Sequence, residues 1–264
     1  MPEVLRRALL DRLRTLVAWS IGTVLYIAMI AAVFPSIKSS PGFDQLTKQY
    51  PEVLKHLFGM TGSINLTTGP GYLDTELFSA MLPLFVLALA IGTGAGTLAG
   101  EHEQGLLELV VSRPLSRRSV VLWKAAAMAV EVLVIATVMA ASIAVADPIV
   151  GLSLDLTNLV TAAAGLAGLG LVYGSLSLAV GAATRHRASA IGVPAAAGAV
   201  AYLIAGLSGL ATWLAPFRFA SPFHYAGRAP LQSGVDLSGL IILIGASAVL
   251  TAIAVVVFQR RDLT

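Results

Sequence analysis

Six long apolar stretches, separated by shorter polar segments, dominate the pattern of hydrophobic and polar positions along the chain. They cover residues 16–36, 75–99, 119–146, 157–183, 188–214 and 237–258. A helix needs about 20 consecutive apolar residues to cross the hydrocarbon core of a bilayer, and each stretch reaches that length. Strands of a membrane barrel would alternate polar and apolar residues in pieces of about ten, and no stretch does so. The pattern therefore predicts an all-α integral membrane protein with six transmembrane helices.

The composition also indicates a membrane protein. Hydrophobic residues make up 57% of the 264 residues and charged residues 12%, with a mean hydropathy of +0.85, which is far too apolar for a soluble domain. The chain has no cysteine, which excludes disulfides, thiolate metal sites and cysteine nucleophiles. The first apolar stretch lacks a clear small-residue cleavage site, so we expect a retained span rather than a signal peptide. We interpret residues 1–264 as one transmembrane domain.

The basic residues divide unequally between the two sides of a six-span membrane protein. With both termini on the same inner side, twelve of the 17 lysines and arginines fall on that side. The positive-inside rule then predicts that both termini, and the segment between the second and third spans, lie in the cytoplasm. This asymmetry accounts for the isoelectric point of about 9.4, so the charge gives no reason to expect a nucleic-acid partner.

Three segments outside the spans have patterns of their own. In residues 1–15, apolar side chains recur at helical spacing with arginines on the opposite face. This favours a helix in the inner membrane interface over a merely basic flank, because the periodicity extends over about four turns. Residues 38–74 form a long external loop punctuated by prolines. Residues 214–236 combine prolines with aromatic side chains, which is typical of an external re-entrant or interfacial segment.

Glycines recur at four-residue spacing in two of the predicted spans. Gly92, Gly96 and Gly100 share one face of the second span, and Gly170 and Gly174 share a face of the fourth. Small residues let the backbones of transmembrane helices approach closely. We therefore expect helix packing contacts at both sets of glycines.

Glu131 lies well inside the third predicted span. It follows Lys124 by seven residues and so lies on nearly the same face of the helix. An acid within the membrane is a candidate functional polar site, but it can also pair with a basic residue of a neighbouring helix and hold the bundle together. We favour the structural role.

A short polar hairpin, residues 100–118, connects the second and third spans. Charged side chains are costly at mid-bilayer, so this cluster is expected at a membrane face, where another protein can reach it. Gly105 breaks or caps a helix, and Pro114 turns the chain back towards the third span. The hairpin also has an apolar edge, formed by Leu106, Leu107, Leu109 and Val110. Such a hairpin can dock in a groove of a partner protein. The alternative is a solvated loop whose charges only set the orientation of the chain in the membrane. The closely spaced apolar residues favour docking.

Motifs for catalysis and nucleotide binding are missing from the sequence. None of the four lysines follows a glycine, so the chain has no phosphate-binding Gly-x-x-x-x-Gly-Lys-Ser/Thr loop and is not expected to bind ATP itself. His102-Glu103 could begin a zinc motif His-Glu-x-x-His, but Leu106 stands where the second histidine is needed. The four histidines are dispersed over both sides, and the spans hold no nucleophile set or paired carboxylates. We therefore expect no metal site, no catalytic residue and no enzyme activity.

The hairpin has the ordered pattern Glu101-x-Glu103-x-Gly105-x-Leu107-Glu108, followed by Pro114 and Ser116-Arg117. It resembles the cytoplasmic loop of type-2 ATP-binding-cassette (ABC) transporter permeases, which usually reads Glu-x-Glu-x-Gly-Thr-Leu-Glu, a few apolar residues, Pro and Ser-Arg. Leu106 stands where threonine is common. The six spans, the external loop after the first span and Ser221-Pro222-Phe223 before the sixth are also similar. The resemblance implies eight residues that couple the chain to an ATP-binding subunit: Glu101, Glu103, Gly105, Leu107, Glu108, Pro114, Ser116 and Arg117.

The resemblance further implies a permease subunit that exports a substrate across the plasma (inner) membrane of a prokaryote. Two permease subunits, of the same or a related chain, would work with two separate ATP-binding subunits, which bind the ATP and magnesium, so this chain itself needs no cofactor. The second and fifth spans would line the route, and membrane lipids would surround the bundle. The alternative is a nucleotide-independent secondary transporter or channel, which should place several ionisable groups at mid-membrane and show related repeats. Glu131 alone gives that alternative little support.

Overall fold

The computed structural model describes residues 2–39, 51, 66–103, 116–227 and 229–260. Its regular elements are helical, and the described residues include no strand. The α-helices are α1 (Pro2–Lys38), α2 (Gly69–Leu73), α3 (Met81–Glu103), α4 (Arg117–Val150), α5 (Leu156–Thr184), α6 (Arg187–Leu207), α7 (Pro222–Tyr225), α8 (Pro230–Ser233) and α9 (Leu237–Gln259). A π-helical turn (Asp74–Phe78) lies between α2 and α3, and a 3-10 helix (Ala215–Ala220) lies before α7.

Six helical stretches in the described part of the chain are long and apolar enough to cross a membrane, which confirms the predicted fold class and number of spans. Span 1 is Arg12–Lys38 of α1, and span 2 is Gly69–Glu103, which combines α2, the π-helical turn and α3. Spans 3 to 6 are α4, α5, α6 and α9. Span 5 ends at Leu207 rather than at residue 214, because the following apolar residues continue in tight turns instead of the helix.

Helix α5 lies at the centre of the bundle. In its most apolar stretch 72% of the residues are buried, and it packs against α3 and α9 as well as α4 and α6. Glycines make these close contacts possible: a Cβ atom at Gly168 would lie 2.8 Å from Leu243 Cδ1 of α9, and one at Gly170 would lie 2.5 Å from Val86 Cγ1 of α3. Spans 2, 3, 5 and 6 are arranged around this glycine-rich helix.

Helix α1 runs without interruption through the predicted interfacial segment and span 1. It lies at the edge of the bundle and packs mainly against α4, with only 17% of its most apolar stretch buried. Tyr72 of α2 also donates a hydrogen bond, 3.0 Å long, to the carbonyl oxygen of Ile30 in α1. The position of residues 1–15 in the membrane interface stays a prediction.

The two ends of the bundle differ in structure. We call the end that contains the last turn of α3 and the first turn of α4 the inner end, and the opposite end the outer end. At the outer end, residues 208–227 and 229–236 form turns and three short helices, each with a proline at its first or second position, and we call them the outer segment. Its aromatic side chains Trp213, Phe217 and Phe219 are each more than half exposed, whereas Leu231 is buried. The depth of this segment in a membrane stays a prediction, and most of the predicted external loop 38–74 lies outside the described residues.

Asp155 begins α5 at the outer end, in the short connection after α4. Its Oδ1 accepts the backbone N–H of Asn158 at 3.0 Å and that of Thr157 at 2.7 Å. These two bonds stabilise the charged carboxylate and lower the pKa of Asp155 below its ordinary value. The cap satisfies N–H groups that have no partner within the helix.

Candidate functional site

The base of the hairpin, where α3 ends and α4 begins, is held by an ion pair between the two helices. Lys124 Nζ of α4 pairs with the Glu101 carboxylate of α3, and it also lies 3.3 Å from the carbonyl oxygen of Thr97, to which it donates. The Lys124 side chain is 5% exposed and that of Glu101 is 29% exposed. Because Lys124 is removed from water, these two oxygens replace its hydration. The pair therefore fixes the two arms of the hairpin to each other.

A second predicted coupling carboxylate contacts a different span. Glu103 is the last residue of α3, and its Oε1 accepts the backbone N–H of Arg187 at 2.8 Å. Arg187 is the first residue of α6, and its N–H is one of the donors at a helix start that lack a partner within the helix. His186, at the N-cap position, makes no side-chain capping bond. Glu103 thus caps α6 from the end of α3 and joins the base of the hairpin to span 5.

The returning arm of the hairpin begins with a conventional helix cap. Ser116 precedes α4, and its Oγ accepts the backbone N–H of Ser119 at 3.2 Å. Arg117 is the first residue of the helix. Four of the predicted coupling residues lie outside the described residues: Gly105, Leu107, Glu108 and Pro114. Their role in docking stays a prediction.

Glu131 lies deeper in the bundle than the hairpin, between α4, α3 and α1. It is 2% exposed, and its Oε2 accepts the hydroxyl of Thr93 at 2.8 Å. The same oxygen lies 3.9 Å from Nη1 of Arg12 on α1. Oε1 of Glu131 has no hydrogen-bond partner among the described residues. Glu131 thus stands beside a basic residue of a neighbouring helix, the arrangement that the structural interpretation of this acid requires.

The predicted glycine contacts are close in α5 but not at every predicted position of α3. Gly174 of α5 is close to α3: a Cβ atom at Gly94 would lie 2.6 Å from the carbonyl oxygen of Gly174. Of the three predicted glycines of α3, Gly96 is covered by the Arg12 guanidinium, and Gly100 has only ordinary contacts, the nearest being the Ala95 carbonyl oxygen. No described atom lies within 4 Å of a Cβ atom built at Gly92. Gly170 and Gly174 of α5 therefore lie against α3 as expected, but the α3 glycine at this contact is Gly94, on a different face from the one that the four-residue spacing predicts.

A groove beside Gly92 separates α3 from α6. Its volume is about 560 Å³, and Gly92 and Ile91 of α3 face Ile191 and Ala195 of α6 across it. The residues that line it are apolar except for Tyr202, and none is charged. These are spans 2 and 5, the pair that the resemblance associates with the transport route. A groove of this size can hold a drug-sized apolar molecule or an acyl chain.

Asp74 is a polar residue of the outer end that the sequence analysis did not single out. It lies in the π-helical turn of span 2, is 1% exposed, and binds the first turn of α8 in the outer segment. Its Oδ1 accepts the backbone N–H of Leu231 at 3.0 Å, and its Oδ2 accepts the backbone N–H and the side-chain amide of Gln232, both at 3.2 Å. The partners are 157 and 158 residues away in sequence, so no local pattern indicates this contact.

The outer segment has a second attachment, to α5. The amide Nδ2 of Asn158 donates to the carbonyl oxygen of Leu231 at 3.0 Å, and the backbone N–H of Val235 donates to Thr161 Oγ1 at 3.2 Å. Asp74 and these two residues therefore hold residues 231–235 against spans 2 and 4 from both sides.

The geometry combines a tied hairpin base at the inner end, an apolar groove between spans 2 and 5, and a clamped outer segment. No curated protein matches the chain. The sequence model of the family described as "ABC-2 family transporter protein" matches residues 3–263, which is nearly the whole chain and includes all the features above. The chain therefore belongs to the ABC-2 family of transporter proteins.

Proposed function

We propose that the chain is the permease subunit of an ABC transporter, and that it exports a substrate across the plasma membrane with ATP hydrolysed by a separate subunit. The observation that carries this proposal is the family match over residues 3–263, with a hairpin of the permease type at the inner end. The contacts at the hairpin base support it, because Glu101 binds span 3 and Glu103 binds span 5. A force applied to the hairpin would therefore reach both spans.

The groove between α3 and α6 supports a route along spans 2 and 5. It is apolar and lies at the surface of the chain, so a second permease subunit placed against it would complete a pathway between two copies. Two ATP-binding subunits would then bind the two hairpins. A conformational change is driven only by differential affinity for its two states, so the energy comes from ATP-dependent closure of those subunits rather than from the permease.

Purification of the tagged chain from the membranes of its own host tests the partner. We expect an ATP-binding-cassette subunit to be recovered with it, and the recovered complex to hydrolyse MgATP, whereas the chain alone does not. In vesicles, a fluorescent apolar dye should be transported by the complex only when MgATP is on the side of the hairpin. Transport of the dye by the chain alone, with no nucleotide, would overturn the proposal in favour of a secondary transporter or channel.

A further inference from the structure

The proposed function requires the hairpin to move. The contact between Glu103 and Arg187 connects the base of the hairpin to α6, which forms one wall of the groove. We propose that Glu103 is a positioning residue: it transmits displacement of the hairpin to α6 through the backbone N–H of Arg187. This inference rests on the proposed function, and it assigns to Glu103 a contact within the chain in place of the direct partner contact that the resemblance implies.

The chemistry of the contact suits this role. A carboxylate at a helix start meets both the unpaired N–H groups and the positive end of the helix dipole, and charge-assisted hydrogen bonds are stronger than neutral ones. His186 offers no competing cap, so Glu103 is the side chain that satisfies the N–H of Arg187. Although Pro194 lies inside it, α6 is one continuous helix of 21 residues, so a shift at its first turn is carried along its axis.

Two other described contacts link α3 with α6, one apolar and one through α5. Ala95 and Ala99 of α3 form a buried cluster with Ala190 of α6, and such small side chains allow close packing without interlocking. The Ser177 hydroxyl of α5 lies 2.9 Å from the Ile91 carbonyl oxygen and 2.7 Å from that of Ala190. Among the described residues of the inner end, Glu103 provides a direct polar bond from α3 to α6, whereas Ser177 links the two helices through α5.

The groove begins one turn beyond this contact. Ile191 and Ala195 of α6 line the groove, and they follow Arg187 by about 6 and 12 Å along the helix at 1.5 Å per residue. On the other arm, the pair of Lys124 with Glu101 keeps the end of α3 attached to α4. Movement of the hairpin is therefore delivered to α6 at the foot of the groove wall.

The variant Arg187→Pro removes the N–H that Glu103 binds while keeping a residue that fits the position. Proline is favoured at the first position of a helix, and His186 already has the extended backbone (φ −105°, ψ 122°) that a residue before proline adopts. Arg187→Ala is the matched control, because it removes the same side chain and keeps the N–H. The chain has no cysteine, so Ala195→Cys provides a single labelling site in the groove for both variants.

The experiment measures the rate at which a maleimide dye labels Ala195→Cys in the complex with its ATP-binding subunit, with and without MgATP. We expect MgATP to change the labelling rate about tenfold in the parent and in Arg187→Ala, and less than about twofold in Arg187→Pro. The loss of one charge-assisted hydrogen bond corresponds to a factor of about ten in the coupling between hairpin and α6. The recovered amount of ATP-binding subunit and the ATPase rate should stay within about twofold of the parent in both variants, since neither variant changes a residue of the hairpin. In the Arg187→Pro background, Glu103→Ala should cause no further loss, because both changes remove the same contact.

Two results overturn the inference while leaving the proposed function intact: an ATP response of Arg187→Pro equal to that of Arg187→Ala, or a further loss on adding Glu103→Ala. If Arg187→Pro does not assemble, Glu103→Gln and Glu103→Ala replace it. Glutamine keeps an oxygen that accepts the N–H, so its ATP response should persist where that of alanine is lost, and equal loss in both overturns the inference. A parent chain that recovers no ATP-binding subunit, or whose labelling ignores MgATP, overturns the proposed function itself.

Discussion

The clamp around Asp74 makes a quantitative prediction about the outer end. The change is Asp74→Ala in a chain that carries Val235→Cys as its single cysteine. Val235 is 8% exposed and lies in the outer segment close to the bonds that Asp74 makes, so its replacement reports whether that segment has opened. Valine and cysteine are similar in size, and the parent for every comparison is the chain with Val235→Cys alone.

The size of the effect follows from the bonds that are lost. Asp74 accepts three hydrogen bonds from Leu231 and Gln232, and a typical bond contributes about 1 kcal/mol to stability. Alanine should therefore lower the free energy of opening by about 3 kcal/mol, which corresponds to a population of the open state roughly a hundredfold larger. An asparagine at this position would keep one accepting oxygen but turn an NH₂ group towards N–H donors, so Asp74→Asn should fall between alanine and the parent.

The assay is the rate of maleimide labelling of Val235→Cys in nanodiscs, under conditions where opening and closing are faster than the chemical step. Under those conditions the rate is proportional to the open population. The control is Leu237→Ala, which shortens an uncharged side chain of the same region that is 73% exposed, and it should leave the rate unchanged. A labelling rate of Asp74→Ala within about threefold of the parent would refute the role of Asp74 as a clamp, since a single lost bond should already exceed that ratio.

Two further predictions concern the packing of the bundle. Glu101→Ala should lower the free energy of unfolding by about 3 kcal/mol, because it leaves buried Lys124 without its carboxylate. In thermal unfolding of the purified protein, the double variant with Lys124→Met should recover most of that loss, and no recovery would contradict the pairing. Gly170→Ala should lower the free energy of unfolding by about 1–3 kcal/mol in the same measurement, because its Cβ would lie 2.5 Å from Val86 Cγ1. A Cβ at Gly92 faces open space, so Gly92→Ala should change that free energy by less than about 0.5 kcal/mol. Equal effects of the two glycine substitutions would show that the packing assigned to α5 is wrong.

The six spans could be predicted because a bilayer requires a long apolar run for each crossing, and that requirement is visible in sequence. The end of span 5 could not, because residues 208–214 carry no charge and include Leu210, Trp213 and Leu214, so they still suit a membrane although their backbone turns. Hydropathy indicates whether a segment is more stable in the membrane or in water, but it carries little information about the residue at which a helix ends.

The contacts of the candidate site were less visible in the sequence than its location. The hairpin motif identifies Glu101 and Glu103, but their partners Lys124 and Arg187 come from other helices, and Arg187 is 84 residues from Glu103. The glycine spacing of α3 identifies a face suited to close packing, yet the rotation of the helix, set by all its neighbours, turns Gly94 rather than Gly92 towards α5. Such pairings depend on tertiary arrangement, which periodicity alone does not encode.

The π-helical turn at Asp74–Phe78 has a consequence for how sequences of this kind are aligned. Its defining bond runs from the N–H of Ser79 to the carbonyl oxygen of Asp74, five residues back, so the turn holds one residue more than an α-helix would. Each helical residue adds about 100° of rotation, so a relative with a one-residue gap here would direct Asp74 to another side of the bundle. A deletion that leaves hydropathy almost unaltered would thus separate the acid from the outer segment that it binds.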